Sequence, residues 1–208
     1  MTTCSSGQED PTTGTDCMTI TEIERRLDFL REASKLKDVL RRSFTRDGQP
    51  ESTAEHTWGL CLLVITFADY LEGIDLLRLL KICILHDLGE AIHGDVPAIS
   101  IEASLNKSQQ EREDLLTVMA PLPDDLRAEF LELWDEYENA STPEARMAKA
   151  FDKIETIWQH NTGINPPDFD HQFNLTYGRR YTDHSKLTRA IRDVIDQETL
   201  RNAEKVSP

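Results

Sequence analysis

Seven side chains in this 208-residue sequence could do chemistry that the residues around them could not. The stretch CILHDLGEAIHGD, residues 83–95, sets His86, Asp87, Glu90, His93 and Asp95 into an otherwise apolar run. His56 sits in PESTAEHTW and Asp152 in AKAFDKIE, both within apolar helical surroundings. Two imidazoles and two carboxylates, His56, His86, Asp87 and Asp152, form a plausible ligand set for one divalent cation. Four protein ligands leave coordination positions open for water and substrate, as a catalytic centre needs. Glu90, four residues after His86, shares a helical face with it and stands where a general acid or base belongs. Asp95, past Gly94, is expected to reach the same cavity from the turn. His93 reads as an ordinary helix-end histidine. Taken singly these signals are weak, since a lone buried histidine is usually a hydrogen-bonded core residue. Together they point to a bound cation, which would offset the several kcal/mol that burying each uncompensated charge costs.

The elements that must position these groups read as helices. TITEIERRLDFLREASKLKDVLRR opens with Thr19 and Glu22 at capping-box spacing and carries a stripe of Ile23, Leu27, Leu30 and Leu40. Gly48 and Pro50 mark a loop. A helix near 53–72 is apolar nearly all round, with Trp58, Leu62 and Ile65 among its residues, and belongs in a core. A second apolar helix covers about 75–92 and ends near Gly94 and Pro97. Amphipathic helices follow near 100–119, 124–139 and 143–160, the last started by Thr142 and Pro143. GINPPDFDHQFNLTYGRR is irregular, and a final helix covers about 184–201. No segment alternates as a strand does. The expectation is an all-α bundle of six or seven helices around two central apolar ones, in a single domain over 19–205 after a disordered tail at 1–18.

Bulk composition narrows the partners. The 23 basic residues face 38 acidic ones, for a net charge of −15, which argues against a nucleic-acid polymer or an anionic membrane as partner. A small anionic substrate is allowed where the site supplies positive charge. Cys4, Cys17, Cys61 and Cys83 form no C-x-x-C pair and read as free thiols in a reducing, cytoplasmic setting. The N-terminal segment lacks the features of a signal peptide, and no apolar run is long enough to span a membrane.

With these residues in view, the chain resembles the HD superfamily of metal-dependent phosphohydrolases, and within it the 5′-deoxynucleotidase-like branch. PESTAEHTW, ILHDLGEAIHGDVPA and AKAFDKIE match that branch's three segments in order, and the likeness covers about residues 22–160. The resemblance implies an HD-domain helical bundle in which His56, His86, Asp87 and Asp152 hold one divalent metal, with Glu90 and Asp95 as the acid–base pair. It also implies a homodimer. The cation remains open among Mn, Co, Ni, Fe, Mg and Zn. The branch's Arg-Trp pair, which contacts the nucleotide, falls at Val39-Leu40, where no tryptophan stands; Arg41, Arg42 and Arg46 are the candidates to replace its phosphate contact. The expected activity is release of phosphate from a nucleoside 5′-monophosphate. Two alternatives stay open: hydrolysis of another phosphoester (a nucleoside triphosphate, a cyclic nucleotide or a phosphorylated metabolite), or a non-catalytic, metal-containing nucleotide-binding protein.

Overall fold

A computed structural model describes residues 19–95 and 104–206. The expected disordered tail at 1–18 and the Pro97 helix stop lie outside the described residues. Among those described, seven helices of ten residues or more carry the fold, joined by short helical turns and one two-stranded hairpin.

Helix α1, Ile20–Ala33, starts on the expected capping box: the Thr19 hydroxyl accepts from the Glu22 amide while the Glu22 carboxylate accepts from the Thr19 amide. Its end departs from the sequence reading. The chain leaves the helix at Ala33, makes a short 3-10 turn over Ser34–Lys37, and becomes strand β1, Leu40–Phe44, paired antiparallel with β2, Pro50–Ser52. Tertiary partners decide this against local helix propensity. The Phe44 carbonyl accepts from the Gln159 side chain at 2.6 Å, and the Ile164 amide donates to the Thr45 carbonyl at 3.1 Å. Gly163 permits this contact, because any Cβ there would overlap the Phe44 carbonyl.

Helix α2, Thr53–Thr66, begins on a second capping box, Ser52 with Glu55. Helix α3, Leu76–Leu85, is capped by Asp75. It stops before the titratable cluster instead of running through it. Residues 86–89 form a tight turn with bonds three residues apart, and the one-turn helix α4, Glu90–His93, follows. Helices α5, Ser104–Val118, and α6, Asp124–Asn139, flank this region.

The two apolar helices α2 and α3 pack on each other and on a third, α7, Pro143–Thr162, which Thr142 caps and Pro143 opens as expected. Ten of the twenty residues of α7 are buried, so it runs through the middle of the molecule. The short helices α8, His171–Asn174, and α9, Arg179–Thr182, lead to α10, Lys186–Val206, which lies along α7.

One expectation about burial is corrected. Helix α2 is not enclosed all round: Trp58 is 68% exposed, Ile65 54% and Leu62 47%. Their spacing of four and three residues puts them on one face, turned away from α7. Leu77 and Ile84 form a similar exposed stripe on α3. Among the described residues no helix is long and apolar enough to cross a membrane.

Candidate metal and phosphate site

The candidate ligands arrive from separate elements. Helix α2 brings His56 from its first turn, the turn after α3 brings His86 and Asp87, and the middle of α7 brings Asp152. Among the described residues, His56, His86 and Asp152 each offer a ligand atom within 4.8 Å of the others, and all three are buried. Asp87 joins them, with Oδ2 3.1 Å from His86 Nε2 and 3.9 Å from His56 Nε2. Asp152 Oδ1 lies 3.4 Å from His56 Nε2.

Hydrogen bonding fixes how each imidazole faces the cluster. His56 Nδ1 donates to Glu155 Oε2 at 2.5 Å, and His86 Nδ1 donates to the Cys83 carbonyl at 2.8 Å. Each ring then turns Nε2 inward, the atom that would coordinate a cation in place of a proton, the usual orientation when a partner holds the Nδ1 side of a ligating histidine. Both Nε2 atoms are buried and, among the described residues, lack a hydrogen-bond partner. An orphaned buried polar atom costs about 1–3 kcal/mol, so two of them facing two carboxylates suit a coordinated cation. Burial and the Arg41 guanidinium press the His56 imidazole down, yet Glu155 and Asp152 overcome both and raise it to about 10. The cluster thus draws positive charge to the place where the four side chains converge.

Further groups hold these ligands in place. The Tyr137 hydroxyl donates to Asp152 Oδ2 at 2.5 Å, and Lys153 Nζ donates to the same oxygen at 2.7 Å. Burial alone would raise the Asp152 carboxyl, but Lys153 and the imidazoles hold it well below the usual range. Trp134 Nε1 donates to the His86 carbonyl at 3.0 Å, pinning the turn after α3. Gly59, one turn along α2 from His56, leaves room for Glu155: a Cβ there would stand 2.7 Å from Glu155 Oε1.

The cluster floors a cavity of about 240 Å³. Glu90 and Asp95 both line it. Glu90 is buried, and its Oε2 accepts from the Thr53 hydroxyl at 3.0 Å. Burial, then the charges of Asp87 and Asp95, push its carboxyl up to about 9. His93 does not line the cavity; its Nδ1 donates to Asp114 at 2.8 Å.

The three arginines separate. Arg41 points from β1 into the cluster, donating to Asp87 Oδ2 at 3.3 Å and to the Thr156 hydroxyl at 3.2 Å. Arg42 lines the cavity further out. Arg46 is exposed in the hairpin turn and is not among the lining residues, so the structure does not bring it to the site. The inward position is occupied by Arg41 and not by the Val39-Leu40 pair, because a strand replaces the expected helix.

Several lining residues escaped the sequence reading. Lys149, Lys153, Thr156 and His160 lie at spacings of three and four around Asp152 and Glu155, so the helical face of α7 was a usable signal. Lys149 is buried with Nζ 4.3 Å above the Tyr137 ring and 3.6 Å from Glu138 Oε1. Phe173 and Tyr177 come from the irregular segment, where no periodicity marks them.

Comparison with known proteins gives a consistent set of likenesses. The family model described as HD domain matches residues 33–192. The 5′-deoxynucleotidase HDDC2 of Mus musculus is 34% identical over 184 residues, covering 85% of this chain and 88% of the relative. The 5′-deoxynucleotidase HDDC2 of Danio rerio is 31% identical over 139 residues, covering 66% of this chain and 68% of the relative. Among solved structures, a predicted metal-dependent phosphohydrolase from Magnetospirillum magnetotacticum MS-1 superposes with a TM-score of 0.74 at 26% identity, covering 87% of this chain and 96% of that one.

Proposed function

The chain belongs to the HD-domain family, and from that premise we propose that it is a metal-dependent phosphohydrolase of the 5′-deoxynucleotidase type, releasing phosphate from nucleoside 5′-monophosphates. One observation carries the reading. Two buried, unpartnered imidazole nitrogens meet two carboxylates on the floor of a cavity that also holds Glu90, Asp95 and Arg41. His56, His86, Asp87 and Asp152 would hold one divalent cation, which supplies Lewis acidity toward a phosphoryl oxygen and toward water.

The chain's own residues account for the remaining steps. Arg41, braced by Asp87 and Thr156, presents its guanidinium to the phosphate, and Lys149 and Lys153 add positive charge from α7. These cations admit an anionic substrate to a protein of net charge −15. Glu90, protonated at neutral pH by its burial, gives its proton to the leaving 5′ oxygen. Asp95, on the turn after α4, accepts the proton from the attacking water.

A phosphate-release assay tests the reading. The panel should contain deoxy- and ribonucleoside monophosphates, triphosphates, cyclic nucleotides and sugar phosphates, with Mn, Co, Ni or Mg and then with chelator. Release from monophosphates that stops on chelation is expected. Release from triphosphates or cyclic nucleotides alone would move the assignment to another phosphoester, and release surviving both chelation and Asp87→Ala would end it.

The exposed stripe of Trp58, Leu62 and Ile65 supports a homodimer formed through α2. Light scattering is expected to give twice the chain mass for the wild type and the single mass for Trp58→Glu. An unchanged mass in the variant removes α2 from the interface. The unpaired thiols Cys61 and Cys83 support a cytoplasmic location, which cell fractionation checks.

A further inference from the structure

The cavity extends well past the ligand cluster along α7. Asp152, Thr156 and His160 all line it. At about 1.5 Å per residue, His160 stands about 12 Å beyond Asp152 along the helix axis. A substrate whose phosphate lies at the ligand cluster therefore extends its remaining atoms toward His160. Phosphate binding and proton transfer leave that end of the cavity without a role.

The side chains there form an aromatic pocket. Phe173 and Tyr177 face the cavity with ring centroids 5.3 Å apart and planes inclined by 31°. The Tyr177 ring lies 5.5 Å from Lys153 Nζ, so the aromatic wall starts beside the phosphate end and runs outward. Phe173 is 41% exposed, although His171 and Asn174 on the same short helix are buried. Nothing in the fold requires an apolar ring to stand in the cavity mouth. His160 adds a polar edge. Its Nδ1 donates to Asn174 Oδ1 at 3.0 Å, and among the described residues its Nε2 has no hydrogen-bond partner. Burial pushes this imidazole down to about 4, so it is neutral and Nε2 is an acceptor. Phe169 meets the ring edge-on at 4.9 Å and fixes its plane.

We propose that Phe173, Tyr177 and His160 form a nucleobase subsite, in which the base stacks on the Phe173 ring and donates an N–H to His160 Nε2. The subsite rests on the reading of the substrate as a nucleoside monophosphate. Stacking accepts any base, since every base has a π-face, so the subsite distinguishes nucleotides from other phosphomonoesters more than one base from another.

Phe173→Ala tests this on the cation-loaded enzyme, with inorganic phosphate as a probe that lacks a base. The expected result is a rise of about tenfold in KM for deoxyadenosine 5′-monophosphate, the loss of one stacking contact. The kcat and the inhibition constant of inorganic phosphate should stay near their wild-type values, and Phe173→Tyr should restore KM. A parallel rise in KM and in the phosphate inhibition constant, or no rise in KM, overturns the subsite. Calorimetry with a non-hydrolysable deoxynucleoside 5′-phosphonate separates the two claims. If the wild type turns over no monophosphate, the proposed function fails. The subsite then stands if Phe173→Ala weakens phosphonate binding about tenfold, and falls if the two proteins bind it equally.

Discussion

His86→Ala is expected to lower kcat/KM by about a thousandfold or more, equivalent to about 4 kcal/mol of transition-state stabilisation. The same change should remove the tightly held cation from purified protein. His86 Nε2 is buried and, among the described residues, without a hydrogen-bond partner, and it stands 3.1 Å from Asp87 Oδ2. Deleting the ring leaves His56 and the two carboxylates as an incomplete set. Asp152→Asn is the companion variant, since an amide oxygen still accepts from Tyr137 and the packing is kept. Elemental analysis together with kcat/KM measures both effects. Stoichiometric cation with wild-type turnover in either variant would sink the ligand assignment. Thermal melting of each variant, read beside the kinetics, separates loss of the site from loss of the fold.

Glu90→Gln should cost about 10² to 10⁴ in kcat, the range for removing a positioned acid or base. Its effect on stability runs the other way. Burial, then the charges of Asp87 and Asp95, push the Glu90 carboxyl up to about 9 in the folded protein, against 4.5 ordinarily. Between those values the folded state keeps a proton that the unfolded state has released, so stability falls as pH rises through the window. Glutamine removes that dependence. In chelator-treated protein, Glu90→Gln is expected to melt higher than wild type at pH 8 and to match it near pH 4.5. The alkaline fall of the wild-type rate should be absent from the residual rate of the variant. A variant that melts lower at pH 8, or keeps the alkaline limb, assigns the proton to another group.

The candidate ligands were legible because titratable residues stand out inside apolar helices. His56, His86 and Asp152 could be read in this way, and the structure brings them within 4.8 Å of one another. Arg41 was only partly legible. Leu40 looked like part of a helical stripe, but 40–44 is a strand paired with Pro50–Ser52, and its end is anchored by Gln159 on the Phe44 carbonyl and Ile164 on the Thr45 carbonyl, far away in sequence. Glu155 was readable in principle, three residues after Asp152, yet its bond to His56 depends on Gly59, whose spatial neighbour no local pattern reveals. Phe173 and Tyr177 carried no signal, since the segment holding them has no period. Trp58, Leu62 and Ile65 were placed inside because hydrophobicity states that a residue prefers cover without stating what covers it.

The hydrogen bond from His56 to Glu155 joins residues 99 apart. Closing so long a loop is entropically slow, and contacts of this kind form after local helices. During synthesis, α2 and α3 are therefore complete while α7 is still to come, and a nascent chain that stops short of Asp152 has no finished cage to load. With the proposed ligands, cation capture would belong to the last stage of folding. From then on the cation would act as a clamp by mass action: a ligand that binds only the folded chain stabilises it by about 2.7 kcal/mol at a hundred times its Kd. The cation supply of the cell would then set how long each molecule lasts as well as how fast it works.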